Sequence, residues 1–137
     1  MDFFTALHIS STGLSAERTR VNIASSNLAN AETTRTADGG PYKRLDPVFR
    51  AVAAEAGAAG GPQAVTVAEI ATDETPGKKI YSPGHPDADA DGFVVLPTVN
   101  PVHEVVNLLS ASRGYEANTT AVETLKQMAG RALEILK

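Results

Sequence analysis

The chain has no cysteine and no tryptophan among its 137 residues. A disulfide framework, a thiolate metal site and a cysteine nucleophile are therefore all excluded. Large side chains are scarce as well, with seven aromatics in all and alanine supplying 22 of the apolar residues that make up 42% of the chain. Leu, Ile, Val and Phe together reach about 23%, just above the level at which a charged chain reads as disordered. The length suits one domain. With so little bulky material its apolar faces are expected to be completed by partners, because small domains bury too little surface to stand comfortably alone.

Positive charge is also short. Twelve Lys and Arg against sixteen Asp and Glu leave a net charge of −4, and the deficit lies in residues 51–100. Without a basic face, phosphate-backbone binding has no electrostatic footing, so no nucleic-acid partner is expected. The opening Met1-Asp2-Phe3-Phe4-Thr5-Ala6-Leu7-His8 lacks a basic region and an unbroken apolar stretch of signal-peptide length. Neither a cleaved signal peptide nor membrane insertion is expected, since no apolar run approaches the roughly eighteen residues that a spanning helix needs.

Glycine and proline crowd into residues 33–100 and are nearly absent from the two ends. In the first segment Leu7, Leu14, Val21 and Leu28 recur every seven residues, which predicts a helix over 1–32. Ile9, Ala16 and Ile23 form a second series on roughly the opposite side. Because a helix docked on one small domain needs a single apolar stripe, two stripes predict contact with more than one neighbouring helix. In the last segment Asn100 suits an N-cap and Pro101 the first helical position. Leu108, Tyr115, Val122, Ala129 and Leu136 then repeat with a period of seven, accompanied by Leu125, and a second stripe runs through Val105, Leu109, Met128 and Ile135. A continuous helix over 101–137 would be a rod roughly 54 Å long.

The middle reads as short strands between turns, at 48–52, 65–70, 79–81 and 93–96, from their β-branched and aromatic content. Residues 53–64, rich in alanine and glycine, read as a flexible linker or hairpin tip. The predicted fold is thus mainly α with a small β insert, the terminal helices of 1–32 and 101–137 pairing as an antiparallel, coiled-coil-like axial domain around the insert at 33–100.

Chemical motifs are few. Asp87-Ala88-Asp89-Ala90-Asp91-Gly92 matches the first half of a calcium loop, yet Thr98 stands where the bidentate glutamate belongs. A calcium-responsive binding module is therefore the alternative reading, and an ordinary acidic turn the favoured one. His8, His85 and His103 fall in three separate segments without metal-ligand spacing, and neither a nucleophile elbow nor a phosphate loop occurs. No enzyme activity, metal or cofactor is expected. Asn27 and Asn30, three apart, share a helix face. They can set register in a helix seam, or Asn30 can end the helix in a left-handed cap with Asn27 in solvent.

Ser11-Thr12-Gly13-Leu14-Ser15-Ala16 and Asn22-Ile23-Ala24-Ser25-Ser26-Asn27-Leu28-Ala29-Asn30-Ala31 resemble the N-terminal signature of the bacterial flagellar rod and hook proteins. Gly40-Pro41-Tyr42-Lys43-Arg44, the 83–92 turn, Val99-Asn100-Pro101-Val102 and Ser110-Ala111-Ser112-Arg113-Gly114-Tyr115-Glu116-Ala117-Asn118 are similar to the proximal-rod members of that family. The resemblance implies a structural subunit, exported by the flagellar type III apparatus, that assembles with copies of itself and other rod proteins into a helical tube transmitting motor torque. The rod's base would be linked to the export-gate and membrane-ring complex. In that setting the expected assembly interface comprises Leu7, Leu14, Val21, Asn27, Leu28, Asn30, Leu108, Tyr115, Val122, Leu125, Met128 and Leu136. Folding of the ends is then coupled to assembly, so helicity should rise on polymerisation, and a stable, fully helical monomer at low concentration would contradict this.

Overall fold

The computed structural model describes residues 2–54 and 61–135. Helix α1 spans Phe3–Ala29 and helix α2 spans Pro101–Ile135. Between them lie strands β1 (Leu45–Ala53), β2 (Gln63–Thr72), β3 (Lys78–Tyr81) and β4 (Phe93–Leu96). This is the predicted mainly α architecture with a small β middle. Among the described residues the strands form two separate antiparallel ribbons, β1–β2 and β3–β4, rather than one sheet.

Each helix starts where its capping chemistry allows. Asp2 accepts the Thr5 amide at 2.7 Å through its side chain, covering one of the amides that a first helical turn leaves without a partner. At α2 the Asn100 carboxamide oxygen accepts the amides of Val102 (3.0 Å) and His103 (3.4 Å). Pro101 opens that helix, where its missing N–H costs nothing. Helix α1 ends on Asn30, but not in the left-handed cap expected as one reading. Its φ is −104°, and its side chain instead donates to the Ser26 carbonyl at 2.9 Å and accepts from the Thr33 hydroxyl at 3.1 Å.

The helices run antiparallel. Gly13 faces Asn118, Gly114 faces Glu17, and Asn27 bonds Glu104, so residues advance along α1 as they retreat along α2. A methyl group at Gly13 would stand 2.8 Å from Asn118 Oδ1, and one at Gly114 would stand 2.8 Å from Glu17 Oε1. The missing Cβ at each position leaves room for the Asn118 and Glu17 side chains to lie across the seam. On this register position 3 of α1 is level with position 128 of α2, and the last turns of α2 run past the beginning of α1. Leu133 (66% exposed) and Ile135 (85%) stand in solvent there.

Helix α1 does meet neighbours on two sides, but within the chain the second is the β1–β2 ribbon and not the further helix expected from its two stripes. One side of α1 packs on α2 and another on the β1–β2 ribbon. Ala16 and Ile23, both from the second stripe, are buried. Strand β1 meets α1 near Ile23, Ala24 and Asn27, and β2 meets it near Thr12 and Ala16. A ribbon can cover a helix as well as another helix does, because the alternation of a strand also presents an apolar face.

The strand positions read from sequence lie inside the observed strands, and 93–96 matches β4 to the residue. Strands β1 and β2 run longer because their ladder continues through small and polar residues to Leu45↔Thr72 and Ala53↔Gln63. The pairing steps between Val48 and Phe49, where β2 inserts Ala68 without a partner. Half of the expected 53–64 linker, residues 55–60, lies outside the described residues, whereas Ala53 and Gln63–Ala64 belong to β1 and β2 rather than to a linker.

Gly77 precedes β3 and crosses the β4 backbone. A Cβ there would collide with the Leu96 carbonyl oxygen and stand 2.6 Å from Val95 Cγ1. We expect Gly77→Ala to lower unfolding free energy by about 1–3 kcal/mol through overpacking. Chemical denaturation would register this as a reduced midpoint at constant slope.

Candidate assembly site

The most enclosed polar group among the described residues is the side chain of Asn27. It is fully buried, and Glu104 is 1% exposed. Asn27 Nδ2 donates to the Leu45 carbonyl at 2.8 Å and to Glu104 Oε2 at 3.3 Å. Its Oδ1 accepts from the Leu45 amide at 3.0 Å and from the Tyr42 hydroxyl at 2.9 Å. All four hydrogen-bonding positions of the carboxamide are filled. Bonding both backbone groups of Leu45, it serves as one residue of an extra strand along the outer edge of β1.

Glu104 completes the node. Its Oε1 accepts from Arg44 Nε at 2.7 Å, and Arg44 also lies 3.5 Å from Asp46. Burial works against the Glu104 charge, but hydrogen bonds from Arg44, Asn27 and Asn107 hold its pKa below the ordinary carboxylate value. A buried, paired charge of this kind costs little while complete and a great deal when broken. One polar cluster thereby fixes α1, the entry to β1 and the first turn of α2 to one another.

A carboxylate whose folded pKa is depressed adds stability above its unfolded pKa of about 4.3, and this is lost as pH falls through the folded value. Glu104 is therefore expected to make the chain acid-labile below about pH 4.3. The check compares denaturation midpoints from pH 6 down to pH 3 in the native chain and in Glu104→Gln. The substitution should flatten the decline, and an unchanged slope would sink the assignment.

The acidic turn works internally. Asp87 accepts from the Thr34 hydroxyl at 2.7 Å and lies 3.6 Å from Arg35. The Thr34 hydrogen bond, reinforced by the Arg35 charge, holds the Asp87 carboxyl below its usual value despite partial desolvation. Asp89 Oδ1 accepts the amides of Asp91 (3.0 Å) and Phe93 (2.8 Å). Among the described residues no group of three or more His, Cys, Asp or Glu is placed to hold a metal ion. The calcium-module alternative is thus without support, because its first carboxylates point to different partners.

The residues expected to form an assembly interface divide by exposure. Leu7, Leu14, Val21 and Leu28 are half-buried along α1, as are Leu108, Val122 and Leu125 along α2. They lie beside the seam, whose centre holds small and polar groups: Gly13, Glu17, Ala24 and Asn27 against Glu104, Ala111, Gly114 and Asn118. Tyr115 (42% exposed) and Met128 (62%) face outward, and Leu136 lies outside the described residues. Asn27 is enclosed, so the register it sets is that of its own chain. Asn30 is half-buried and serves as the helix cap.

The second α2 stripe stands apart. Val105 (43% exposed), Leu109 (57%), Met128 (62%) and Ile135 (85%) are all exposed, and Val102 and Val106 extend the patch near Asn100. Such an apolar face is characteristic of an association surface. Sequence reading found this stripe but missed Glu104, Arg44 and Tyr42. A signal for Glu104 existed: it heads the series Glu104, Ala111, Asn118, Leu125, spaced by seven.

Comparison with known proteins follows the same division into two ends. Residues 7–35 match the family described as flagella basal body rod protein, and residues 90–135 match the C-terminal family of flagellar basal body rod FlgEFG proteins. The chain is 42% identical over 152 residues to the flagellar basal-body rod protein FlgC of Borreliella burgdorferi, covering 100% of this chain and 99% of that protein. It is 44% identical over 138 residues to FlgC of Aquifex aeolicus, covering 100% and 99%. With FlgC of Escherichia coli O157:H7 it shares 41% over 135 residues, covering 98% of each.

Proposed function

The chain belongs to the FlgC family of flagellar basal-body rod proteins, and from that premise we propose how its surfaces serve as a rod subunit. Membership makes it a structural protein of the rod rather than an enzyme. The observation that carries the detailed reading is the exposed stripe Val102, Val105, Val106 and Leu109 on α2. Burying each such side chain contributes roughly 1.5–3 kcal/mol, available only when a neighbour covers it.

In this reading the paired helices of 1–32 and 101–137 form an axial unit, and residues 33–100 form an insert projecting from it. Neighbouring subunits, copies of this chain and other rod proteins, pack on the outer face of α2 and on the Leu7–Leu28 flank of α1. Tyr115 and Met128 belong to the same contacts. The rod crosses the periplasm, its base joined to the export-gate and membrane-ring complex. Its subunits arrive through the flagellar type III apparatus. No helix among the described residues is long and apolar enough to cross a membrane.

Density for an intact basal body with this chain traced through it tests the arrangement. Val105 and Leu109 should lie under a neighbouring helix. A rod in which that face remains in solvent would refute the assignment.

A further inference from the structure

The β1–β2 ribbon is fastened to α1 at two points, through opposite edges. At its base the Asn27 carboxamide bonds both outward groups of Leu45 on β1. Nearer the tip, the Val65 amide of β2 donates to Thr12 Oγ1 at 3.2 Å. The Thr12 hydroxyl in turn donates to the Ile9 carbonyl at 2.8 Å, so one oxygen links the helix ladder to the strand edge.

Ladder geometry confirms that both bonds use outward-facing groups. Asp73 N donates to the Arg44 carbonyl, and Ala54 N donates to the Pro62 carbonyl. Residues alternate between inward and outward bonding along an antiparallel pair. Leu45 on β1 and Val65 on β2 therefore both turn their backbone groups away from the partner strand. Because ribbons twist right-handedly, one edge can meet the helix at the base and the other edge near the tip. Ala64, beside the distal bond, is 2% exposed and the most buried of the described strand residues.

We propose that this pair of contacts is a two-point clamp, in which Thr12 is the distal latch that turns the β1–β2 ribbon into a lengthwise brace on α1. Asn27 is the fixed anchor, tied also to Glu104 and Tyr42. Thr12 is the releasable end: it holds a single 3.2 Å bond, and both it and Val65 are only half-buried. A bending load on α1 is shared by the ribbon while the latch is closed. With the latch open, the distal ribbon keeps only its side-chain packing on α1 around Ala64, and α1 carries more of the load.

Thr12→Val keeps the shape and removes the acceptor, whereas Thr12→Ser keeps the acceptor. Amide hydrogen exchange of the full-length chain is the readout. In Thr12→Val the Val65 amide should exchange about two- to tenfold faster, the range that one net hydrogen bond supplies. The Leu45 amide should stay within twofold of the native rate, and Thr12→Ser should restore Val65 protection. An unprotected Val65 amide in the native chain, an unchanged rate in Thr12→Val, or equal acceleration at Leu45 would each overturn the latch. These rates are read without rod assembly, so the clamp can fail while the rod assignment stands.

Discussion

Replacing Asn27 with leucine is expected to lower the unfolding free energy by about 3–5 kcal/mol, a large share of the 5–15 kcal/mol typical of a small domain. Leucine has the same branched skeleton and a larger volume, so the loss is not a cavity. It arises because the substitution strands the amide and carbonyl of Leu45, the hydroxyl of Tyr42 and one arm of the Glu104 carboxylate. Each buried group left without a partner costs roughly 1–3 kcal/mol. Relaxation that admits water should keep the total below their sum. Urea denaturation would show the change as a lower midpoint, and amide exchange should accelerate at Leu45. A double-mutant cycle with Glu104→Ala would show strong coupling, since residues in one hydrogen-bonded network are not additive. Additive losses would mean that Asn27 and Glu104 act independently, contrary to the node described.

The second large effect belongs to the outer face of α2. Leu109→Asp should leave monomer stability within about 0.5 kcal/mol, as expected for an exposed site away from caps and networks. It should nevertheless abolish swimming, because an unpaired carboxylate buried at every repeat of an apolar contact is prohibitively costly. Leu28→Asp and Leu125→Asp are also expected to block assembly and motility with expression intact, but by another route. Both leucines flank the helix seam and are half-buried within the chain, so these two variants should also weaken the monomer. Motility plates paired with thermal melts separate the mechanisms. Normal swimming by Leu109→Asp would remove the outer face from the interface, and an unaltered melt for Leu125→Asp would remove that residue from the seam.

Legibility in the sequence followed the range of the interactions involved. Helix α2 was readable from Asn100-Pro101 onward because capping and seven-residue periodicity are local. Strand β4 was readable because Phe93, Val94, Val95 and Leu96 sit between turn residues. Asn27 could be read only as an ambiguity between a seam residue and a solvated one. The sequence spacing between Asn27 and Glu104 carries no sign that they meet, since contact depends on the antiparallel register, which Gly13 and Gly114 permit. Thr12 was likewise invisible, because a mid-helix threonine ordinarily bonds only its own helix.

Local chemistry in the chain thus determined two long helices around a β-rich middle, the scarcity of bulky core residues and the apolar stripe on α2. Tertiary structure alone decided which stripe of α1 a ribbon would cover, that the helix seam would centre on small and polar residues, and that Asn27 would stand in for a strand. Periodicity states which residues share a face, but only the packed chain brings a carboxamide, a backbone edge and a carboxylate close enough to satisfy one another.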